Sequence, residues 1–427
     1  MKMNMKMNMK MHTVFKEKKR STSNKVFCKL LLKVGLGIPL LTSMLAGCLN
    51  KSISPVNSSD VKFDGKVLII GAGAAGLTAG HILKQQNIPF QIIEASPGFG
   101  GRIKKNEQLA DFPIDVGAEW IHTDPKILNE ILNDPKVNMD LEVVPYSPQS
   151  IYGIVDNKLA QDTEFAKTYS EYKFKRDTWF DFFERFIVPG IEQNITYNTP
   201  VTGIDYSGEK VLVKTINGQS FSGDKVIVTV PVSILQEGSI NFNPALPPEK
   251  NDALEQLYMP DALKVFIKFS EKFYPDMLYA GDPEAGEYDE NGDKLFYDAA
   301  FNKDSNDNIL GFFTTGDYAS DYVHLTEEEM LNKILAELDA LYDGKASQLY
   351  ESHVFHNWSM EPFIQGSYAH YLDYSVVEEM ARPINNKVYF AGEGYNTDMY
   401  TGTSTVHAAA KSAYTAVEDI LTITESK

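Results

Sequence analysis

The sequence predicts an α/β fold in which a layer of buried parallel strands and helices is interrupted twice by α+β segments. Three observations carry this. Val67-Leu68-Ile69-Ile70 runs straight into a glycine turn, Gly71 to Gly76, and Leu77 to Lys84 continue with helical apolar spacing. A second strand–turn–helix pattern closes the chain: Val388-Tyr389-Phe390, then Ala391-Gly392-Glu393, then a small-residue helix around Thr405 to Ala410. Between the two, residues 123–190 and 241–352 differ in texture, the first aromatic and helical in period, the second rich in alternating strands. The predicted division gives 63–122, 191–240 and 353–427 to the layer, and 123–190 with 241–352 to a second domain inserted in two pieces.

The glycine turn has its own chemistry. Gly71 permits the tight turn, Gly73 lets the backbone approach a pyrophosphate, and Gly76 lets helix and strand pack closely, while the helix N-terminus offers N–H groups to the anion. Glu94 ends the next apolar run, Phe90 to Ile93, about twenty residues on, where a carboxylate takes ribose hydroxyls. With strand, helix and acid in this order the unit is a Rossmann-like dinucleotide site. The glycines do not separate FAD from NAD. In Gly98-Phe99-Gly100-Gly101-Arg102, paired glycines can bring a guanidinium onto a phosphate, although a surface turn explains them as well. His122, ending Gly117-Ala118-Glu119-Trp120-Ile121-His122, is by itself more often a structural histidine.

Further along, Asp177 to Phe186 has the period of a helix, Ser207-Gly208 and Asn217-Gly218 mark hairpins, and Val226 to Val230 is a buried strand stopped by Pro231. Leu263 to Phe269 alternates as a half-buried strand, which puts Lys264 and Lys268 on one face, both solvated on that pattern alone. Leu295 to Ala300 and Ile309 to Thr314 are further strands. Asp289-Glu290-Asn291-Gly292-Asp293 is a hairpin turn rather than a calcium loop, since no closing glutamate follows. No metal site is expected. Thr326-Glu327-Glu328-Glu329 is a capping box, and Met330, Leu331, Ile334, Leu335, Leu338 and Leu341 form the core stripe of its helix.

Composition bounds the partners. The chain has 427 residues, 43% apolar and 11% aromatic, enough for large cores. Its formal charge is -18, and residues 1–47 carry a net +9, so the remainder is near −27. That argues against a nucleic-acid partner and could concentrate small cations, although surface acidity more often serves only solubility. Residues 1–47 are expected to be a leader, with a basic region from Lys16 to Lys33, an apolar run from Val34 to Ala46, and Leu45-Ala46-Gly47-Cys48. This last stretch resembles the lipobox of bacterial lipoproteins, which implies export, a lipid on Cys48 and attachment to a bacterial membrane through residues 48–62 as a tether. Cys28 is the only other cysteine, so disulfides and thiolate chemistry are not expected in the body.

Taken together, Gly71 to Gly76 with Glu94, Gly100-Gly101-Arg102, Gly117-Ala118, Val228 to Pro231, Trp358 with Gly366-Ser367-Tyr368, and Ala391-Gly392-Glu393 resemble the flavin-dependent amine oxidases. That family includes monoamine oxidases, polyamine oxidases and lysine-specific demethylases. The resemblance runs from about Lys66 to the C-terminus and implies FAD. Carried over, it implies cofactor contacts from Gly71, Gly73, Ala74, Ala75, Gly76, Glu94, Ala95, Gly101, Arg102, Gly117, Ala118, Glu119, Val201, Gly392, Glu393, Thr405 and Val406. It makes Lys264 the lysine that holds a water at flavin N5, Tyr368 and Trp358 aromatic walls, and His122 a group facing the substrate, with Thr405 beside them. Ser367 replaces the cysteine that bonds flavin in monoamine oxidases, so FAD is expected to be noncovalent. Gly98 stands where many members have an arginine. Trp120-Ile121-His122 and Thr405-Val406-His407 are similar to the polyamine oxidase branch, which implies oxidation of polyamines with O2 as acceptor. L-amino-acid oxidation, and a non-catalytic FAD-containing binding protein, are the two other readings.

Overall fold

The computed structural model describes residues 63–281, 283, 292–371, 373–398 and 402–422. The leader, Cys48, the tether to residue 62 and residues 289–291 of the turn lie outside the described residues.

Val67–Ile70 sits at the centre of a five-stranded parallel sheet, ordered Val388–Phe390, Lys225–Val228, Val67–Ile70, Phe90–Ile93, Ile195–Thr196. The strand is apolar at every position because both its faces are covered. Val67 and Ile69 enter a core with the helices Ala74–Gln85 and Val406–Thr422. Leu68 and Ile70 enter the opposite core, with Ile204, Val211 and Val213 of a four-stranded sheet and with Val376 and Met380. The first and last helices of the layer, Ala74–Gln85 and Val406–Thr422, therefore lie side by side. The hairpins fall at the expected turns, Val201–Asp205 with Val211–Thr215 and Val211–Thr215 with Ser220–Gly223.

The two insertions share one seven-stranded sheet. Ile151–Val155 from the first pairs in parallel with Met277–Ala280 from the second, and Ala262–Phe269 lies between Tyr350–Asn357 and Asn308–Thr315. The helix Glu327–Tyr342, opened by the capping box of Thr326 and Glu329, covers one face. The strand Ala262–Phe269 is not half-buried. Leu263, Val265 and Ile267 face that helix, while on the other side Phe266 enters a separate core with Ile114, Tyr146 and Tyr297 and Lys264 lies against Glu119 and Trp120, so both sides are closed.

The sheets and cores also depart from the predicted division. Trp179, Phe182 and Phe183 share the core of Val67 and Leu77, as do Ile127 and Ile131, so much of 123–190 packs on the layer. Asn241–Asn243 pairs with Val201–Asp205, and Ala253 and Leu254 join the second core of the layer. Strand Tyr350–Asn357 stays in the seven-stranded sheet beyond residue 353. Periodicity identifies an apolar face but not the surface that covers it.

Candidate active site

A cavity of about 580 Å³ lies between the carboxyl ends of the parallel strands and the seven-stranded sheet, where open α/β sheets hold ligands. Every candidate residue named above except Gly76 borders it. Gly76 is required for another reason: a Cβ there would stand 1.9 Å from the Gly71 carbonyl oxygen. Gly71 has φ +105° and its Cβ would meet Thr229 Oγ1 at 2.7 Å. At Gly73 the situation reverses. Its φ is −80° and a Cβ would approach nothing closer than Gly100 O at 3.9 Å, so the protein itself does not demand a glycine there. The space before Gly73 is open, and a side chain there would block the approach of a ligand to the backbone.

Helix Ala74–Gln85 starts at Gly73 without a side-chain cap, which leaves its N-terminal N–H groups for an anion. Glu94 is fixed at the cavity: Oε2 accepts from Ala72 N (2.5 Å) and Oε1 from Ser96 N (2.8 Å). Arg102 Nη1 donates to Glu393 Oε1 (2.6 Å) and to Ser367 O (3.0 Å). Among the described residues its hydrogen bonds run from Nη1 alone, so other guanidinium donors remain for a phosphate. Ser367 Oγ is buried without a hydrogen-bond partner among the described residues and borders the cavity. An orphaned hydroxyl, an open glycine and an uncapped helix are together what a polar dinucleotide would satisfy. Val201 borders the cavity at the start of its strand, and Thr405 Oγ1 accepts from Ala408 N (3.1 Å), capping the C-terminal helix that Val406 opens.

At the other end stand Lys264, Trp358, Tyr368 and His122. Lys264, 3% exposed, donates to Glu119 Oε2 (2.7 Å) and lies 5.0 Å from the centre of the Trp120 ring. The Glu119 carboxylate is shared by Lys264, Lys173 and the Tyr297 hydroxyl. Burial opposes its charge, but the two ammonium groups prevail and bring its pKa down to about 2. Burial pulls the Lys264 ammonium below the usual lysine range, against the attraction of Glu119. Trp358 is pinned by Nε1 donating to Val116 O (3.0 Å), with the His356 ring tilted beside it at 4.1 Å. Tyr368 stacks on His370 at 5.0 Å and donates to Asp293 Oδ2 (3.0 Å). His122 Nδ1 lies 3.2 Å from buried Glu171 Oε1.

Sequence reasoning missed Asp293 as a wall residue, along with Tyr169, Tyr279 and Phe313, which border the same space. It also missed Lys173 and Tyr297. Glu171 and Lys173 alternate on one face of a strand, a charged pair between aromatics, but nothing local says that this face is buried. Among the described residues no cluster of metal-binding side chains exists, and no helix is long and apolar enough to cross a membrane.

Comparison with known proteins agrees with the cavity. The family model described as "Flavin containing amine oxidoreductase" matches residues 191–421, and "NAD(P)-binding Rossmann-like domain" matches 69–134. Lysine-specific histone demethylase 1B of Mus musculus is 24% identical over 77% of this chain, which spans about half (50%) of that relative's length. Probable polyamine oxidase 4 of Arabidopsis thaliana is 22% identical over 78% of this chain and 82% of its own. Among solved structures, cyclohexylamine oxidase from Brevibacterium oxydans IH-35A superposes with TM-score 0.68 at 16% identity, covering 84% of this chain and 99% of that one. Wild-type putrescine oxidase bound to putrescine gives 0.67 at 15%, covering 84% and 100%. The second pair shows a shared fold. FAD is the cofactor for which this cavity is formed, and the chain belongs to the family of flavin-containing amine oxidoreductases.

Proposed function

We propose that the protein oxidises amines with bound FAD, and that its preferred substrates are polyamines or diamines. The observation that carries the reading is Lys264, buried on the wall of the same cavity onto which Gly73 opens. Bound FAD supplies a hydride acceptor, with O2 as the final acceptor and peroxide as product; the carbon–nitrogen bond becomes an imine that water hydrolyses. The chain's own residues bind and orient. Trp358 and Tyr368 offer an aromatic slot that favours the neutral amine by desolvation. His122, with Glu171 behind Nδ1, can receive a proton from the substrate nitrogen. Asp293 carries the finer claim. It borders the cavity, is anchored by Tyr368 and Thr315, and has no ion pair among the described residues, so it can hold a second ammonium of the substrate.

The names of relatives, a polyamine oxidase and a putrescine oxidase, support this choice. A panel of diamines, polyamines, monoamines and L-amino acids with peroxide detection tests it. Activity confined to monoamines or amino acids would remove the polyamine reading; flavin that no amine reduces would remove the oxidase reading. Asp293→Asn is expected to raise KM for diamines about tenfold, the worth of one charge-assisted hydrogen bond, and to leave monoamines alone. The leader supports export and a lipid on Cys48, tested by radiolabelled fatty-acid incorporation that Cys48→Ser should abolish.

A further inference from the structure

Behind the cavity wall, ionisable side chains from separate segments converge. Glu119 receives Lys264 Nζ on Oε2 (2.7 Å) and Lys173 Nζ on Oε1 (2.5 Å), and Tyr297 OH donates to Oε2 (2.5 Å). The three charged side chains are each at most 5% exposed. Lys173 Nζ is also caged, 4.8 Å from the Tyr146 ring centre, 5.0 Å from Tyr297 and 5.4 Å from Trp120. Glu119 and Lys264 border the cavity; Lys173 stands one layer back. Neutralising a buried carboxylate takes one ammonium, and apolar residues of like shape commonly do as well for stability. Here there are two. The neighbouring Asp115 does not balance the second, because burial and the Glu119 charge push its carboxyl well above the usual range. Around the cluster stand Lys303, held down to about 8 by burial and by Lys173, the tyrosines Tyr146 and Tyr169, both raised by burial, and the carboxylates that act on these groups, Glu171 on Tyr169, Asp298 and Asp276 on Tyr146, and Asp177 on Lys303.

We propose that Glu119 and Lys173 are positioning residues for the oxidation: Glu119 grips Lys264 at the cavity wall, and Lys173, caged in aromatic rings, keeps the three-residue group net positive toward the flavin. The inference rests on the amine oxidase reading of the site. Its test uses the FAD-loaded protein and two readouts, the midpoint potential of the bound flavin and its limiting rate of reduction by an amine that reduces the wild type. Lys173→Met should retain FAD, move the potential negative and slow reduction at least tenfold, since small displacements of a catalytic group can cost about a hundredfold. The double variant Glu119→Gln with Lys173→Met keeps the net charge while removing the grip, so it should return the potential to the wild-type value and leave reduction slow. Wild-type potential and rate in Lys173→Met overturn the proposal. If that variant does not fold, the double variant decides: slow reduction at the wild-type potential supports the proposal, and a wild-type rate overturns it. A wild-type flavin that no amine reduces is a different failure, of the oxidase reading beneath it.

Discussion

The glycine cradle and the ionic cluster behind Lys264 border one cavity and are built by opposite means. The cradle is backbone: Gly71, Gly73, the first turn of Ala74–Gln85 and the carboxylate of Glu94, all within one short stretch. The cluster is side chain: Glu119, Lys173, Lys264 and Tyr297 come from segments far apart in sequence, Lys264 and Tyr297 on the seven-stranded sheet and Lys173 on a separate two-stranded one. A backbone site needs particular conformations and leaves its mark on neighbouring residues. A side-chain site needs only that distant strands find each other.

The largest expected effect tests whether the cluster serves chemistry as the cradle serves binding. Lys264→Met should reduce flavin reduction by amine roughly 10²-fold or more, the usual loss for a positioned acid–base or electrostatic group. FAD content should be unchanged, measured by absorbance after gel filtration. Loss of FAD together with activity would mean that the lysine belongs to the cradle.

The cluster also makes stability depend on pH. Glu119 has a folded pKa of about 2 against an ordinary 4.5. A depressed acid contributes stability that is complete above the unfolded value and lost as pH falls through the folded one. The difference corresponds to roughly 3 kcal/mol. Denaturant titrations of wild type and Glu119→Gln should therefore differ most above pH 4.5 and converge toward pH 2. A constant difference across that range would show that the carboxylate is not held in its charged form.

Within the cradle, two glycines separate binding from folding. Gly76→Ala sets a methyl against the Gly71 carbonyl and should cost about 1–3 kcal/mol with or without FAD, read as a lower melting temperature. Gly73→Ala meets no protein atom closer than 3.9 Å, so the FAD-free protein should melt as wild type does. Its methyl stands where the ligand approaches, and FAD affinity should fall about tenfold or more. Equal behaviour of the two variants would erase the distinction.

These contrasts explain what was legible in the sequence. The glycine turn, Glu94, the capping box at Thr326 and the repeated strand–turn–helix at the C-terminus are local patterns, and the parallel sheet follows from them. The aromatic helix Trp179–Phe186 was legible as a helix but not as part of the core of the layer, because its stripe would fit any apolar surface. Lys173 and Tyr297 carried no signal. Lys264 was visible through family resemblance alone, since alternation along its strand made it the equal of Lys268.

The smallest expected effect sharpens that last pair. Lys264 and Lys268 point to the same face of one strand, four residues apart, and alternation treats them alike. Depth separates them. Lys268 reaches the sheet margin, with 26% of its side chain exposed and its ammonium 2.7 Å from Asp307, while Lys264 is closed in beneath Trp120. A partly hydrated pair such as Lys268–Asp307 contributes at most about 1 kcal/mol, because water screens it and two side chains must be ordered to form it. Lys268→Ala should thus shift stability by less than about 1 kcal/mol and leave flavin content and the rate of reduction by amine unchanged. A loss of activity there comparable to that of Lys264→Met would mean that the charge of the strand as a whole, rather than one buried ammonium held by Glu119, governs the site.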